Sequence, residues 1–427
     1  MKYLKISDAL IQKSGRVAIR GWVYRERKLK DKIFLVIRDS SDIIQCIVRD
    51  DNKKAFDDAN KVLIESSIEL EGELYEDKRA PTGYEIKVEK LNVVSFAEAF
   101  PITEDQSPEF LLDKRHLWIR SRKIASIMKI RSTVFGTIDK FFRDRQYYEM
   151  PPPIFTPNAS EGGATLFEVK YFNEKVYLTQ SWQLYAEAAI FALEKIYCIS
   201  PCFRAEKSKT SRHLAEFYMA EVEEAWANLD DMTNLAEQLV SFIVSEVLRL
   251  NEKELKLLGV DIEKLKKVKA PFYKKTYSEV IEILKKDGMI VKWGKDLRTI
   301  EEDKVMKHFD KPLIVTNYPK EIMAFYKPSD PKDVKTALCF DMLAPDGFGE
   351  IIGGSQRDTD ISQLKKYLKS QGEKPENYDW YFDTRRYGSV PHSGFGLGVE
   401  RVVAWICNLD NIKDAIPFPR TINRKSP

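Results

Sequence analysis

The stretch Ile199–Trp226 reads ISPCFRAEKSKTSRHLAEFYMAEVEEAW. An apolar run ends in Phe203-Arg204-Ala205-Glu206, and a loop rich in lysine, serine and arginine follows. A second run starts at Phe217, with the acids Glu221 and Glu223 on alternate positions. A period of two predicts a pair of strands, and the polar segment between them predicts a hairpin loop reaching into an anionic site. Arginine grips a phosphate through two N–H groups at once, and an aromatic ring at the hairpin's return can stack on a base. A solvated basic hairpin gives the same pattern, and this stretch alone leaves both readings open.

A second constellation lies downstream. SGFGLGVERVVAWI, from Ser393, alternates Gly394, Gly396 and Gly398, then places Glu400 and Arg401 ahead of an apolar helix. Glycines allow close backbone approach to a ligand, and an arginine at a helix start can face phosphate. The GxGxG spacing, with no βαβ unit before it, is not a dinucleotide fingerprint. Between the two constellations, CFDMLAPDGFGEIIGGSQRD carries Asp341 and Glu350 on what reads as adjacent strands of a hairpin. Two carboxylates with phosphates suit Mg²⁺, while two exposed acids flanking a turn would look the same.

Upstream, Ile130, Val134, Ile138 and Phe142 recur every four residues from Ser121 onward, with Ile127, Phe135 and Phe141 beside them. That is the mark of a long amphipathic helix, which stops before Pro151-Pro152-Pro153. Beyond it strands and helices alternate irregularly, an α+β character over 121–427, with 230–330 standing out as an insertion. Residues 98–120 are polar, hold two prolines and read as a linker or hinge. Residues 1–97 read as all-β: runs begin at Val17, Lys32, Asp42, Ser66 and Gly83, with one short helix over 53–64. In the fourth run Ile68, Leu70 and Leu74 share one face, and Glu69, Glu71 and Glu73 the other. Five strands with a helix after the third match an OB-type barrel, a shape used on single-stranded nucleic acid.

Composition narrows the class further. The chain has 427 residues, 43% hydrophobic and 32% charged, which excludes collagen, a low-complexity array and a disordered tail. No run of about 18 apolar residues occurs, so a membrane span is not expected. Five cysteines and four histidines argue against a disulfide scaffold or a zinc cluster. The opening MKYLKISDALIQKSGR lacks the apolar core of a secretory leader, and with the sparse cysteines it favours a cytoplasmic location. The 69 basic and 66 acidic residues leave +3, which neither demands nor excludes a nucleic acid.

Taken together and in this order, the motifs resemble those of the class II aminoacyl-tRNA synthetases. YYEMPPPIF after the long helix matches motif 1, FRAE through Glu216-Phe217 matches motif 2, and GLGVER matches motif 3. The resemblance covers essentially the whole chain and extends to the subgroup with an N-terminal OB-fold anticodon domain, which serves Asp, Asn and Lys. Within it the chain is similar to the archaeal-type enzymes for asparagine. The implied fold is multidomain: an N-terminal all-β OB-fold barrel, then an α+β class II catalytic domain built on an antiparallel sheet. The implied activity joins an amino acid to ATP and then to the 3′ end of a tRNA. Charge stabilisation and alignment do the work, with no protein nucleophile.

The same resemblance implies roles. Arg204 would hold the α-phosphate and the substrate carboxylate, and Glu206 would accept from the adenine amino group or the tRNA end. Phe217 would stack under adenine, with Arg401 on its other face. Arg212 and His213 would lie near the outer phosphates, and Asp341 and Glu350 would bind Mg²⁺. Glu161, in Glu-Gly-Gly, would take the α-ammonium, and Ser181 and Gln183 would line the same pocket. Arg357 would donate to the substrate side chain and Glu221 would accept from it. Aspartyl enzymes carry a lysine where this chain has Ala186, and Ala324-Phe325-Tyr326 replaces their Arg-Pro-Phe-Tyr run, so asparagine is favoured over aspartate. Glu187 next to Ala186 reads equally as a helix-surface acid. In the N-domain, Arg27, Phe34 and Gln45 would contact the anticodon, unless Phe34 is ordinary barrel core. The partners implied are ATP, L-asparagine and tRNA(Asn), in a homodimer whose two-fold interface would use the long helix; a face packed within its own subunit is the alternative. An aspartyl enzyme, an asparagine synthetase of this family and a non-catalytic tRNA-binding relative are the other readings.

Overall fold

The structure is a computed structural model, and it describes residues 2–160, 165–207 and 212–427. The chain forms two compact units, one ending at Leu111 and the other running from Leu112 to Pro427.

In the first unit, β1 (Gly15–Lys28), β2 (Lys32–Arg38), β3 (Ile43–Arg49), β4 (Ser67–Glu76) and β5 (Tyr84–Ser95) close a barrel in the order β1-β2-β3-β5-β4. Only β3 and β5 pair in parallel among these strands. The cause is visible in β4, where Ile68, Leu70 and Leu74 are buried and Glu73 is exposed. A period of two sends one face inward and the other to water. The helix Lys53–Lys61 follows β3 as expected, capped by Asn52 and buried through Ala55 and Ala59. A short helix, Ile6–Gln12, precedes β1 and buries Ile6 and Ala9. Seven residues are too few for a helical period to stand out in the sequence.

The second unit contains β6 (Tyr148–Glu149), β7 (Phe155–Thr156), β8 (Glu168–Tyr171), β9 (Glu174–Leu178), β10 (Lys195–Phe203), β11 (Glu216–Ala225) and β12 (Tyr273–Thr276). It continues with β13 (Leu313–Thr316), β14 (Ser329–Asp330), β15 (Asp333–Ala337), β16 (Cys339–Ala344), β17 (Gly349–Gln356) and β18 (His392–Gly398). Among the described residues, eight strands form the central sheet in the order β12-β13-β16-β17-β18-β11-β10-β6. Its interior pairs are antiparallel, and the edge strands β6 and β12 join in parallel.

The long helix Arg122–Arg143 is capped by Ser121, whose Oγ accepts from the Ile124 N–H at 3.3 Å. Ile127, Ile130, Val134, Ile138, Phe141 and Phe142 are buried, packed against the helices Leu229–Leu250, Glu252–Leu257 and Val399–Ile406. The apolar face read as a trace of a two-fold interface is therefore covered within the chain itself. The stretch 230–330, expected as an insertion, packs into the same unit. Met232, Ala236, Leu239, Val240 and Ile243 lie in the main core, and β12 and β13 extend the central sheet.

The expected linker 98–120 is divided. Leu112–Arg120 belongs to the second unit, because Arg115 is fully buried there. Its guanidinium donates to the carbonyls of Ile416 and Pro417, both at 2.8 Å, and lies 3.3 Å from Asp414. A buried cation has to find such acceptors, and these lie some 300 positions away in sequence.

Candidate active site

The hairpin expected from Ile199–Trp226 is β10 and β11, paired from Lys195↔Glu224 to Phe203↔Glu216. Alternation puts Phe217, Met219, Glu221 and Glu223 on one face, while Ala220 and Val222 join the core behind. On the other side β18 runs antiparallel, with Gly398, Gly396 and Gly394 opposite Met219, Glu221 and Glu223. The alternating glycines are needed for these neighbours rather than only for a ligand. A Cβ on Gly394 would come 2.1 Å from the Glu223 carboxylate, and one on Gly396 2.5 Å from the Met219 methyl. Two cavities open on this face and share Arg204, Met219, Glu350 and Gly396.

The first cavity brings together Arg204, Glu206, Arg212, His213, Phe217, Glu350 and Arg401, all seven residues expected around a nucleotide. The Arg204 guanidinium lies 5.5 Å from the centre of the Phe217 ring. Arg401, in the first turn of the helix Val399–Ile406, donates to the Glu350 carbonyl at 2.8 Å and to its carboxylate at 3.1 Å. Burial raises the Glu350 carboxyl, and Arg401 with Arg204 outweighs it, leaving Glu350 below the usual range. Burial and the nearby Arg401 hold His213 below the usual imidazole value. Arg212 is tied down: it donates to Asp303 at 2.9 Å and to the Gly347 carbonyl, and lies 3.5 Å from Glu302. The sequence reading missed that anchor, and it also missed Thr421 and Ile422, which wall the same cavity. The Arg420 carbonyl there accepts from the Ala215 N–H at 2.8 Å.

The second cavity, ≈ 270 Å³, is lined by Ser181, Gln183, Glu221 and Arg357, with Arg204, Asp341 and Glu350 at the shared end. Arg357 is buried and already paired. Nε and Nη2 donate to Glu223 at 2.9 and 2.8 Å, and Nη1 donates to Ser355 Oγ at 2.7 Å. Glu221 accepts from the Trp182 N–H at 2.9 Å and from the Ser181 hydroxyl. Tyr326 packs 5.3 Å under the Arg357 guanidinium. Glu223, noted in the sequence only as an alternating acid, also lines the cavity, as do Asp296 and Lys327, which the sequence reading did not single out. Glu187 is not a helix-surface acid: it is fully buried, ion-paired with Arg385 and 3.1 Å from His392. Glu161 lies outside the described residues.

Asp341 and Glu350 sit on the antiparallel pair β16 and β17, as expected. A Cβ on the intervening Gly353 would lie 2.8 Å from the Glu350 carboxylate and 3.4 Å from that of Asp341. Burial, with Glu350 beside it, pushes the Asp341 carboxyl well above its ordinary value. Two hard-oxygen donors, both half-buried and close to one another, form a set that fits a divalent cation.

The family described as tRNA synthetases class II (D, K and N) matches residues 107–422. The chain belongs to that family. A second family, described as OB-fold nucleic acid binding domain, matches residues 17–94 of this synthetase. The asparagine–tRNA ligase of Thermoplasma acidophilum is 48% identical, with 97% of each chain covered. That of Thermococcus kodakarensis is 49% identical over 96% of each. The crystal structure of asparaginyl-tRNA synthetase from Pyrococcus horikoshii complexed with asparaginyl-adenylate superposes with a TM-score of 0.96, at 46% identity and over 100% of both chains.

In the barrel of this synthetase, Phe34 is no core residue. Ile33, Leu35 and Ile37 fill the interior, and Phe34 lies half-buried on the outer face of β2. Its cross-strand partner on β1 is the exposed Arg27. Gln45, on the same outer face of the adjacent β3, donates to Glu85 at 2.5 Å. Glu85 also accepts from the Tyr75 hydroxyl. These last two residues were missed, since β4 and β5 reach Gln45 only through barrel closure.

Proposed function

We propose that the chain is an asparagine–tRNA ligase. The carboxylate of L-asparagine attacks the α-phosphate of ATP, pyrophosphate leaves, and asparaginyl-adenylate forms. The terminal ribose hydroxyl of tRNA(Asn) then takes the asparaginyl group and AMP leaves. One observation carries the choice of amino acid: Arg357 already holds the Glu223 carboxylate in the cavity that Glu221 also lines. A substrate carboxylate there would add a third anion, whereas an amide offers N–H donors to the acids and a C=O to the remaining guanidinium N–H groups.

In this reading Arg204 bridges the two cavities and aligns the substrate carboxylate with the α-phosphate. Phe217 and Arg401 hold adenine between a ring and a guanidinium, and Glu206 accepts from its amino group. Arg212 and His213 stand toward the outer phosphates. Ser181 and Gln183 line the amino-acid end, and Glu161 is the residue for the α-ammonium. Asp341 and Glu350 would hold Mg²⁺, which neutralises triphosphate charge when bound. On the barrel, Phe34 stacks on an anticodon base while Gln45 and Arg27 reach its edge and backbone. The chain works as a homodimer, for which a sedimentation mass of two chains is expected.

Amino-acid-dependent pyrophosphate exchange tests the assignment. Exchange with asparagine should exceed that with aspartate, followed by charging of tRNA(Asn). Greater exchange with aspartate would reverse it, and no exchange with either would leave a tRNA-binding protein without activation chemistry.

A further inference from the structure

We propose that Glu187, which touches neither cavity, is a positioning residue that fixes the direction of the Gln183 carboxamide at the amino-acid site; this rests on asparagine being the substrate. Glu187 lies four residues after Gln183 on the helix Gln183–Leu193, so both share one helix face. Its Oε1 accepts from Gln183 Nε2 at 2.8 Å. Its Oε2 accepts from the Tyr381 hydroxyl at 2.7 Å and from Arg385, with His392 Nε2 at 3.1 Å. Arg385 and the Tyr381 hydroxyl are themselves 2.8 Å apart, and the Arg357 Nε lies 3.9 Å from Glu187 Oε1.

Burial alone would raise the Glu187 carboxyl, but Arg385, His392 and Arg357 outweigh it and keep the group below the usual carboxylate range. An ionised carboxylate only accepts hydrogen bonds. The end of Gln183 that faces it is therefore the amide nitrogen, and the carbonyl oxygen is turned away. Gln183 lines the cavity, so what it offers a substrate is an acceptor, suited to an ammonium or amide N–H. A glutamine at 187 can both donate and accept, and it would let Gln183 flip. The atoms of Glu187, Glu223 and His392 lie within 4.8 Å of one another, close enough to share a cation. Arg357 and Arg385 already supply that positive charge, so the cluster is an ion-pair network.

Pyrophosphate exchange by the full chain, with Glu187→Gln and Tyr381→Phe beside the unaltered protein, tests this. The KM for asparagine should rise about tenfold in Glu187→Gln and about threefold in Tyr381→Phe, with the KM for ATP held within about twofold. An unchanged asparagine KM in folded Glu187→Gln overturns the proposal. If that variant does not fold, an unchanged KM in Tyr381→Phe overturns it. A parallel rise of both KM values also overturns it, since general loosening of the domain would move the two together. Failure of the unaltered protein to exchange with asparagine at all would instead sink the substrate assignment on which the proposal stands.

Discussion

Lys320 is nearly inaccessible, at 3% exposure, just ahead of the segment Ile322–Lys327 that borders the second cavity. Its Nζ donates to the Lys327 carbonyl and sits 3.7 Å from the centre of the Tyr367 ring. Burial lowers its pKa from 10.5 to about 8, against the pull of Asp358. Between those values the unfolded chain binds the proton and the folded chain does not, so this group's contribution rises with pH. It is complete above 10.5 and lost as pH falls through 8. Thermal melts of Lys320→Met against the unaltered protein should show the variant gaining relative stability toward pH 7 and losing that gain toward pH 10. A difference independent of pH would contradict the assignment.

Single strands impose a constraint of their own, because β11 and β18 interlock. Gly394→Ala would place a methyl 2.1 Å from the Glu223 carboxylate and 2.3 Å from the Val222 carbonyl. Forcing atoms into packed space costs about 1–3 kcal/mol. A lowered melting temperature is expected, together with weaker asparagine activation as Glu223 shifts on Arg357. Strands such as β4 and β11 were legible because their signal is local: alternating side chains need only neighbours in sequence. The helix Arg122–Arg143 was legible for the same reason. Glu187 was not, because the partners that make it a buried hub, Tyr381 and His392, lie 194 and 205 positions away. The attachment of Leu112–Arg120 to the second unit depends in the same way on acceptors near the C-terminus. The seven motif residues that line the first cavity were readable from the sequence, but the anchoring of Arg212 on Glu302 and Asp303 needed the fold.

At the scale of the molecule, the two units carry different chemistry, each on its own hydrophobic core. Phe34→Ala, on the barrel, should therefore raise the KM for tRNA by about tenfold through lost base stacking and leave pyrophosphate exchange untouched. A matching fall in exchange would show that the residue acts through the fold and not through tRNA.

The wall formed by Thr421 and Ile422, with Arg420 bonded to Ala215, also has a consequence in time. A ribosome completes the β10–β11 hairpin some two hundred codons before it reaches Arg420. Until Arg420, Thr421 and Ile422 are translated, the hairpin stands without its partner for the Ala215 N–H, and the first cavity lacks one of its walls.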